Sequence, residues 1–301
     1  MTETILISPL RRLGVALLLA TMLVGCNQSN IEHPGADKND FSNRADIIGG
    51  EIKIQRNTPA SRSVVLIELL DEQLRPLTFC TATLIGAHTI LTAGHCFDVK
   101  LIGPVKKFRV LFENFYKPEG PREQRQGLAY LVNPTYNSRG IYDHDIALGV
   151  FAGALPAGFA PVSIDENINA NYANELVFAY GYGRTKDYTG QRAEDLRYSS
   201  GTLFRGILKV DPWFKETPDR YFTLNEWPTH LCQGDSGGPQ FLDRNGELKV
   251  IGVNSASFGK KLPNGIQDCS GKSQATKVAP FAGWLHKEER KLLRMISTTE
   301  F

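Results

Sequence analysis

The sequence predicts an all-β protein of the sandwich or barrel type with one C-terminal helix. Three observations carry this prediction. Short apolar or alternating runs broken by turn residues begin at Ile47, most of these runs have the length of a strand, and helical spacing occurs only near the end of the chain. Because 42% of the 301 residues are hydrophobic and 10% are aromatic, the chain has apolar material for one large core or two smaller ones.

The strands are predicted where Val, Ile, Thr or Phe recur in short runs. In chain order these runs are 63–70, 78–85, 89–92, 108–112, 128–132, 146–151, 175–180 and 249–253. Asn245 and Gly246 lie between the apolar runs 239–242 and 248–253 and predict a β-hairpin, since both residue types tolerate positive φ. The segment 280–295 has helical spacing with charges on one face and predicts the terminal helix.

The chain before Ile47 predicts export and anchoring to a membrane. Two arginines precede the apolar run 13–24, which suits a signal peptide and falls short of the roughly 20 residues of a spanning helix. Residues 23–26, with the sequence LVGC, resemble a bacterial lipoprotein cleavage box and predict lipidation of Cys26 in the cell envelope, on the outer membrane if the cell has two membranes. An ordinary signal peptide cut nearby is the alternative, and the polar segment 27–46 is expected to be a flexible tether.

The charge balance argues against nucleic acid as a partner. The 34 Lys and Arg residues nearly balance the 32 Asp and Glu residues, and the formal net charge is +2. No basic stripe runs through the body of the chain, so the electrostatic attraction that nucleic-acid binding needs is not expected.

Export places the chain where disulfides persist. If Cys26 is lipidated, four cysteines remain, at positions 80, 96, 232 and 269. Four cysteines allow three pairings, and spacing alone does not choose among them.

Three residues point to nucleophilic catalysis by a serine. Ser236 lies in the segment 232–239, with the sequence CQGDSGGP, where glycines let the backbone turn sharply and bring its amides close to a substrate carbonyl. His95 follows an apolar strand, and Asp145 opens another, where a carboxylate can orient an imidazole. A structural histidine, a turn aspartate and a Gly-rich hairpin are the alternatives. Asp143 is the nearest competitor for the role of the acid, but the strand run begins directly after Asp145, which favours Asp145.

These residues give the chain a resemblance to the trypsin-like (chymotrypsin-fold) serine proteases over about 47–293. The matching segments occur in family order: 47–50 resembles the mature N-terminus, 92–96 the histidine box, 145–148 the aspartate box, 181–183 the glycine pair of the second barrel, and 232–239 the serine box. The resemblance implies two six-stranded antiparallel barrels with the site in the cleft between them, and disulfides Cys80 to Cys96 and Cys232 to Cys269.

The same resemblance implies a serine endopeptidase that acts on proteins or peptides. Ser236 would attack the scissile carbonyl while His95 takes its proton and Asp145 orients His95. No cofactor is expected, and no metal site is indicated.

The resemblance also implies how the site becomes active. The backbone amides of Gly234 and Ser236 would form the oxyanion hole. Asp235 would pair with a free amino group at Ile47 and so order the loop that carries these two amides, the oxyanion loop. The uncleaved chain would then be a zymogen. Asp46 precedes Ile47, where family zymogens usually have Arg or Lys.

The expected specificity pocket is unusual. His230 stands six residues before the serine, where trypsin-like members have an acid, and hydroxyls are expected beside it from Ser255, Ser257 and Ser273. An imidazole with hydroxyls resembles in composition, though not in position, the pockets of glutamate-specific relatives and predicts a preference for an acidic residue, Glu before Asp, ahead of the scissile bond. The alternative is that Leu231 narrows the pocket and leaves His230 as a neutral plug that favours small or uncharged side chains.

The predicted organisation places a single enzymatic domain after the N-terminal segments. The segments are a signal peptide at 1–25, a lipidated N-terminus and tether or propeptide at 26–46, a protease domain at 47–295 (barrel one about 47–155, barrel two about 156–280, helix about 280–295) and a tail at 296–301. Two other function classes stay open: a catalytically silent protein that uses the protease fold as a binding module, and an envelope lipoprotein with a structural or adhesive role. A silent relative usually lacks a triad residue, and all three candidates are present here.

Overall fold

The computed structural model describes residues 47, 54–117, 120–139, 142–185, 200–213, 217–224, 229–260 and 268–297. The predicted signal peptide, the lipidation site Cys26, the tether and Asp46 lie outside these residues. In the part of the chain that the structure describes, every helix is too short or too polar to cross a bilayer.

The first six strands close into an antiparallel barrel, in the order β1-β2-β3-β6-β5-β4. They are β1 Val64–Leu70, β2 Pro76–Leu84, β3 Thr89–Thr92, β4 Lys107–Leu111, β5 Gln124–Val132 and β6 Ala147–Phe151. Phe108 fills much of the interior: a Cβ added at Gly127 would overlap its ring, and one added at Gly149 would lie 3.0 Å from it. The two glycines on β5 and β6 therefore make room for one large aromatic side chain.

The other six strands form a second antiparallel sheet, in the order β8-β7-β10-β11-β12-β9. They are β7 Leu176–Gly181, β8 Phe204–Lys209, β9 Arg220–Thr223, β10 Pro239–Arg244, β11 Glu247–Ser257 and β12 Ser273–Lys277. Beyond the end of β8, the amide of Asp211 donates to the carbonyl of Phe222 and that of Leu224 to Lys209, both at 2.8 Å. These bonds bring the two outer strands together, so the sheet curls into a barrel-like shape.

Three α-helices accompany the strands in the described ranges: α1 Pro59–Ser63, α2 Val99–Ile102 and α3 Ala282–Ser297. Thr58 caps α1 through its hydroxyl, which accepts from the amide of Ser61. The predicted terminal helix corresponds to α3, but Pro280 lies in a preceding 3₁₀ turn, Ala279–Phe281. The α-helix begins two residues later than predicted.

The predicted fold class is confirmed: two six-stranded antiparallel sheets and one C-terminal helix. The hairpin turn is also as expected, because Asn245 and Gly246 both have positive φ, at 57° and 82°. The sequence patterns missed β8, β9 and β12. Strand β12 has the sequence SQATK and is buried along its whole length, although four of its five residues are polar. Polar side chains in a fully buried strand give no apolar period to detect.

Candidate active site

A short 3₁₀ turn after β3 presents His95 to a buried carboxylate. The turn spans Gly94–Phe97, and the disulfide between Cys96 and Cys80 ties it to β2. The Nδ1 atom of His95 lies 2.7 Å from Oδ2 of Asp145, and the backbone amide of His95 donates to Oδ1 at 2.8 Å. Because Asp145 is fully buried and bonds both ring and backbone, the imidazole has one fixed orientation.

A third bond to Asp145 comes from the second sheet. The hydroxyl of Ser255 donates to Oδ2 of Asp145 at 2.6 Å. Ser255 lies where the pairing of β11 with β12 shifts register between Asn254 and Ala256, and such bulges redirect a side chain. Ser255 was expected in the specificity pocket, but its hydroxyl is directed to the carboxylate beside His95.

Asp143, the competing acid, is directed elsewhere. Its Oδ1 lies 2.5 Å from Nη2 of Arg220, which extends from β9. Between them, His144 has a φ of 49°, which is uncommon for a residue with a side chain. This turn directs the two aspartates to different partners, and the geometry favours Asp145 as the acid that contacts His95.

The carboxylate changes the acid–base behaviour of His95. Burial alone would lower the pKa of His95, but the charge of Asp145, its hydrogen bond and the more distant charge of Asp98 raise it above the ordinary value. The side chain of His95 keeps 12% of its surface exposed, and Nδ1 is the ring nitrogen that faces Asp145. A partly exposed imidazole with a raised pKa suits a group that accepts a proton and then returns it.

The turn that carries Ser236 packs against the end of β3, directly before His95. The carbonyl of Ser236 accepts from the amide of Thr81 on β2 at 2.8 Å. Gly237, with a φ of 80°, has no space for a side chain: a Cβ there would overlap Oγ1 of Thr92 and lie 3.0 Å from the amide of Ala93. The structure thus brings the serine turn, the histidine turn and the aspartate into one region.

The loop before the serine has a conformation that requires glycine. Gly234 has a φ of 100°, and a Cβ on it would lie 2.8 Å from the Cα atom of Gly183. The disulfide Cys232–Cys269 closes this loop onto the segment before β12. Both disulfides in the structure have the pairing that the resemblance implies.

Asp235 is buried behind this loop. Its carboxylate accepts from the amide of Gly183 at 2.8 Å and from that of Cys232 at 2.9 Å. A Cβ on Gly181 or Gly183 would overlap this carboxylate, which explains the glycine pair in the sequence. Burial raises the pKa of Asp235 to about 7, against the two amides that lower it.

The structure describes Ile47 in the uncleaved chain, the residue expected to become the N-terminus after cleavage. Its side chain is fully buried in the core of the second barrel, next to Gly206 on β8, and its φ is 31°. The expected partner of a free Ile47 amino group, Asp235, has only amide donors within the described ranges.

The expected pocket residues are distributed differently from the prediction. His230 is partly exposed, whereas Leu231 is 2% exposed and packs in the core of the second barrel. The hydroxyl of Ser257 donates to the carbonyl of Leu231 at 2.8 Å, and Ser273 pairs with Ser257 across β11 and β12. The apolar side chain of Leu231 is therefore part of the core.

Three residues at the site went unnoticed in the sequence. The ring of Tyr142 lies 5.4 Å from that of His95 by centroids. The side-chain amide of Gln274 donates to the carbonyl of Tyr142 at 2.9 Å and lies 3.5 Å from Oγ of Ser255. Thr81 contacts the serine turn. No local sequence signal identifies them, because each acts through a partner distant in the chain.

Fold and site define the class of the protein: two antiparallel six-stranded units of the chymotrypsin fold, with a His–Asp pair beside a glycine-rich serine turn. The family model for trypsin matches residues 47–285, and the chain therefore belongs to the trypsin family of serine proteases.

Individual relatives are distant. Chymotrypsin-like elastase family member 1 of Macaca fascicularis is 28% identical over 216 residues, which cover 69% of this chain and 77% of the relative. Fibrinolytic enzyme, isozyme C, of Lumbricus rubellus is 25% identical over 226 residues, 70% of this chain and 88% of the relative. Protein masquerade of Drosophila melanogaster is 28% identical over 261 residues, 81% of this chain and 23% of that protein. Family membership supports a peptide hydrolase.

Proposed function

We propose that this chain is a serine endopeptidase that cleaves peptide bonds through an acyl-enzyme on Ser236. One observation carries the proposal: a buried carboxylate orients His95, and the turn of Ser236 packs against the strand end that leads to this histidine. A binding module with the same fold would not need the bidentate contact of Asp145 with His95. The identity of 25–28% to curated relatives supports the family, and the residue roles rest on this geometry.

In the proposed mechanism, Oγ of Ser236 attacks the substrate carbonyl and the free ring nitrogen of His95 takes its proton. Asp145 stabilises the imidazolium that forms, without itself being protonated. His95 then gives the proton to the leaving amine, and a water molecule activated by His95 releases the acyl group. The amides of Gly234 and Ser236 would bind the oxyanion, and one such donor contributes roughly a hundred- to a thousandfold in rate.

We propose further that cleavage before Ile47 activates the chain. A new ammonium group at Ile47 would neutralise Asp235, a carboxylate whose pKa is raised by burial and which, within the described residues, accepts from two backbone amides. The buried position of the Ile47 side chain in the second barrel supports this pairing, because the activated N-terminus must reach the same barrel.

The proposed substrate preference is an acidic residue, Glu before Asp, ahead of the scissile bond. His230 is partly exposed and can face a substrate, and the anchoring of Leu231 in the core weakens the alternative in which Leu231 narrows the pocket. Of the four expected pocket residues, His230 is the one whose side chain can carry a positive charge, so it is the main candidate for the contact with a carboxylate. Asp46 before Ile47 fits self-activation by such an enzyme.

The proposed location is the bacterial cell envelope, with the chain exported and anchored through lipid on Cys26. Several acyl chains on one N-terminus would hold the protein firmly, since each buried methylene contributes about 0.8 kcal/mol. Wild type should be recovered with membranes and carry acyl mass, while Cys26→Ser should be soluble. Soluble wild type without acyl mass would contradict the anchor but not the enzyme.

The deciding experiment for the enzymatic function is labelling by a fluorophosphonate, followed by peptide mapping. A catalytic Ser236 should be the labelled residue, and labelling should vanish in Ser236→Ala and in His95→Ala while both variants keep their melting temperature. Absence of labelling in chain cleaved before Ile47 would instead favour a silent binding protein.

A further inference from the structure

Thr81 on β2 makes four hydrogen bonds to three other parts of the site. It is fully buried. Its amide donates to the carbonyl of Ser236 at 2.8 Å, and its carbonyl accepts from the hydroxyl of Thr92 at 2.8 Å. Its own hydroxyl donates to the carbonyl of Gly234 at 2.8 Å and accepts from the amide of Tyr182 at 3.1 Å. One residue of the first barrel therefore holds the loop of the second barrel at two points.

These two points lie on either side of the peptide that bears the amide of Ser236. The hydroxyl of Thr81 fixes the peptide between Gly234 and Asp235, and its amide fixes the peptide after Ser236. The intervening peptide joins Asp235 to Ser236 and supplies one of the two proposed oxyanion donors. Because both neighbouring peptide planes are fixed, this donor has little freedom to turn away.

The hydrogen bonds between Thr81 and the loop do not depend on the charge of Asp235. The bonds of Thr81 go to backbone groups, and the carboxylate of Asp235 is held separately by the amides of Gly183 and Cys232. Nothing in the Thr81 contacts requires a free amino group at Ile47. The loop thus has one neutral support that is present in the uncleaved chain and a second, ionic one that cleavage would add.

We propose that the hydroxyl of Thr81 is a positioning group that holds the oxyanion loop in its reactive conformation before cleavage, so that the uncleaved chain retains a measurable fraction of the reactivity of Ser236. This inference rests on the proposed function. It predicts that loss of the hydroxyl harms the uncleaved chain more than the cleaved chain, because only the cleaved chain has the ionic support.

Thr83 provides a matched control on the same strand. It lies two residues further along β2, on the same face, and it is 1% exposed. Its hydroxyl has no hydrogen-bond partner among the described residues. Substitution of either threonine by valine changes the same atom in the same kind of environment. Only Thr81→Val removes a hydrogen bond to the loop, the one to the carbonyl of Gly234, together with the bond from the amide of Tyr182.

The experiment compares wild type, Thr81→Val, Thr81→Ser and Thr83→Val, each uncleaved and each cut by an added protease at a recognition sequence placed directly before Ile47. The rate of fluorophosphonate labelling of Ser236 and the melting temperature are measured for all eight samples. Uncleaved Thr81→Val should be labelled about tenfold more slowly than uncleaved wild type, as expected for the loss of a buried hydrogen bond. The loss should be clearly smaller after cleavage, and Thr81→Ser and Thr83→Val should label like wild type.

Three results would overturn the inference. The first is an equal labelling rate for uncleaved Thr81→Val and uncleaved wild type, and the second is an equal loss of labelling rate by Thr81→Val in the cleaved and uncleaved forms. The third is uncleaved wild type that is not labelled although cleaved wild type is. The third result leaves the proposed function intact, whereas failure of wild type in both forms refutes that function. If Thr81→Val does not fold, Thr81→Ala replaces it, and the ratio of uncut to cut wild type still tests the reactivity of the uncleaved chain.

Discussion

The hydroxyl of Ser255 donates to Oδ2 of Asp145, the same oxygen that contacts the ring of His95. The two residues are 110 positions apart: Ser255 lies on β11 of the second sheet and Asp145 lies two residues before β6 of the first, so this bond joins the barrels at the proposed site. A carboxylate that accepts three hydrogen bonds is held in one position, which is what a proton-accepting histidine needs beside it.

Loss of this bond should slow the chemical step rather than weaken binding. We expect Ser255→Ala to lower kcat about tenfold with little change in KM, because Asp145 loses a donor but keeps its contacts with His95. Ser257→Ala is the matched control, since that hydroxyl bonds the carbonyl of Leu231 instead. Steady-state kinetics on one peptide distinguish the two, and equal kcat in Ser255→Ala and wild type would contradict the assigned role.

The pH dependence of activity should identify the acid. His95 must be neutral to accept a proton, and its raised pKa means that activity increases as the pH rises through that value. Asp145→Asn removes the charge that raises the pKa of His95, so the acid limb should move to lower pH while kcat falls on the order of 10⁴-fold. Asp143→Asn, whose partner is Arg220, should leave both nearly unchanged. If Asp143→Asn instead shifts the acid limb and lowers kcat while Asp145→Asn changes neither, Asp143 is the acid that acts on His95.

The uncleaved chain should lose stability as the pH rises from about 4 to 7. The folded pKa of Asp235 is about 7 and lies above its ordinary value near 3.9, so the folded state binds the proton more tightly over this range. The free energy of unfolding should therefore fall, by at most about 4 kcal/mol. Denaturant melts at several pH values should show this slope in wild type and a much smaller one in Asp235→Asn. Parallel curves for the two proteins would show that Asp235 titrates normally.

A methyl group at Gly183 should disable the site. Because a Cβ there would overlap the carboxylate of Asp235, Gly183→Ala should displace the oxyanion loop, lower the melting temperature and abolish labelling of Ser236. Gly283→Ala is the control: the glycine is on α3, and a Cβ there meets no atom within 4 Å. That substitution should stabilise the protein by about 0.5–1 kcal/mol. Full activity in Gly183→Ala would show that the loop tolerates the displacement.

Charge selectivity should depend on His230. We expect wild type to cleave a peptide with Glu ahead of the scissile bond with higher kcat/KM than the matched Gln peptide, and His230→Ala to abolish the difference. The Gln peptide has the same shape without the charge, so the ratio isolates recognition of the carboxylate. A ratio near one in wild type, or a ratio unchanged by the substitution, would exclude acidic selectivity through His230.

The sequence by itself determined the features that depend on neighbouring residues. Strand β3 has the predicted bounds, the turn at Asn245 and Gly246 has the predicted positive φ, and the terminal helix begins within two residues of its predicted start. The glycine pattern around Ser236 was also visible, because backbone conformations that need glycine leave a local mark.

The tertiary structure alone decided the relationships between distant residues. Only the fold shows that Ser255 donates to the carboxylate of Asp145 and that Thr81 bonds to the loop before Ser236. These partners are 110 and 153 positions apart. A buried polar side chain is stabilised by whatever donor or acceptor the folded chain brings to it, and a local pattern of residues carries no record of that partner.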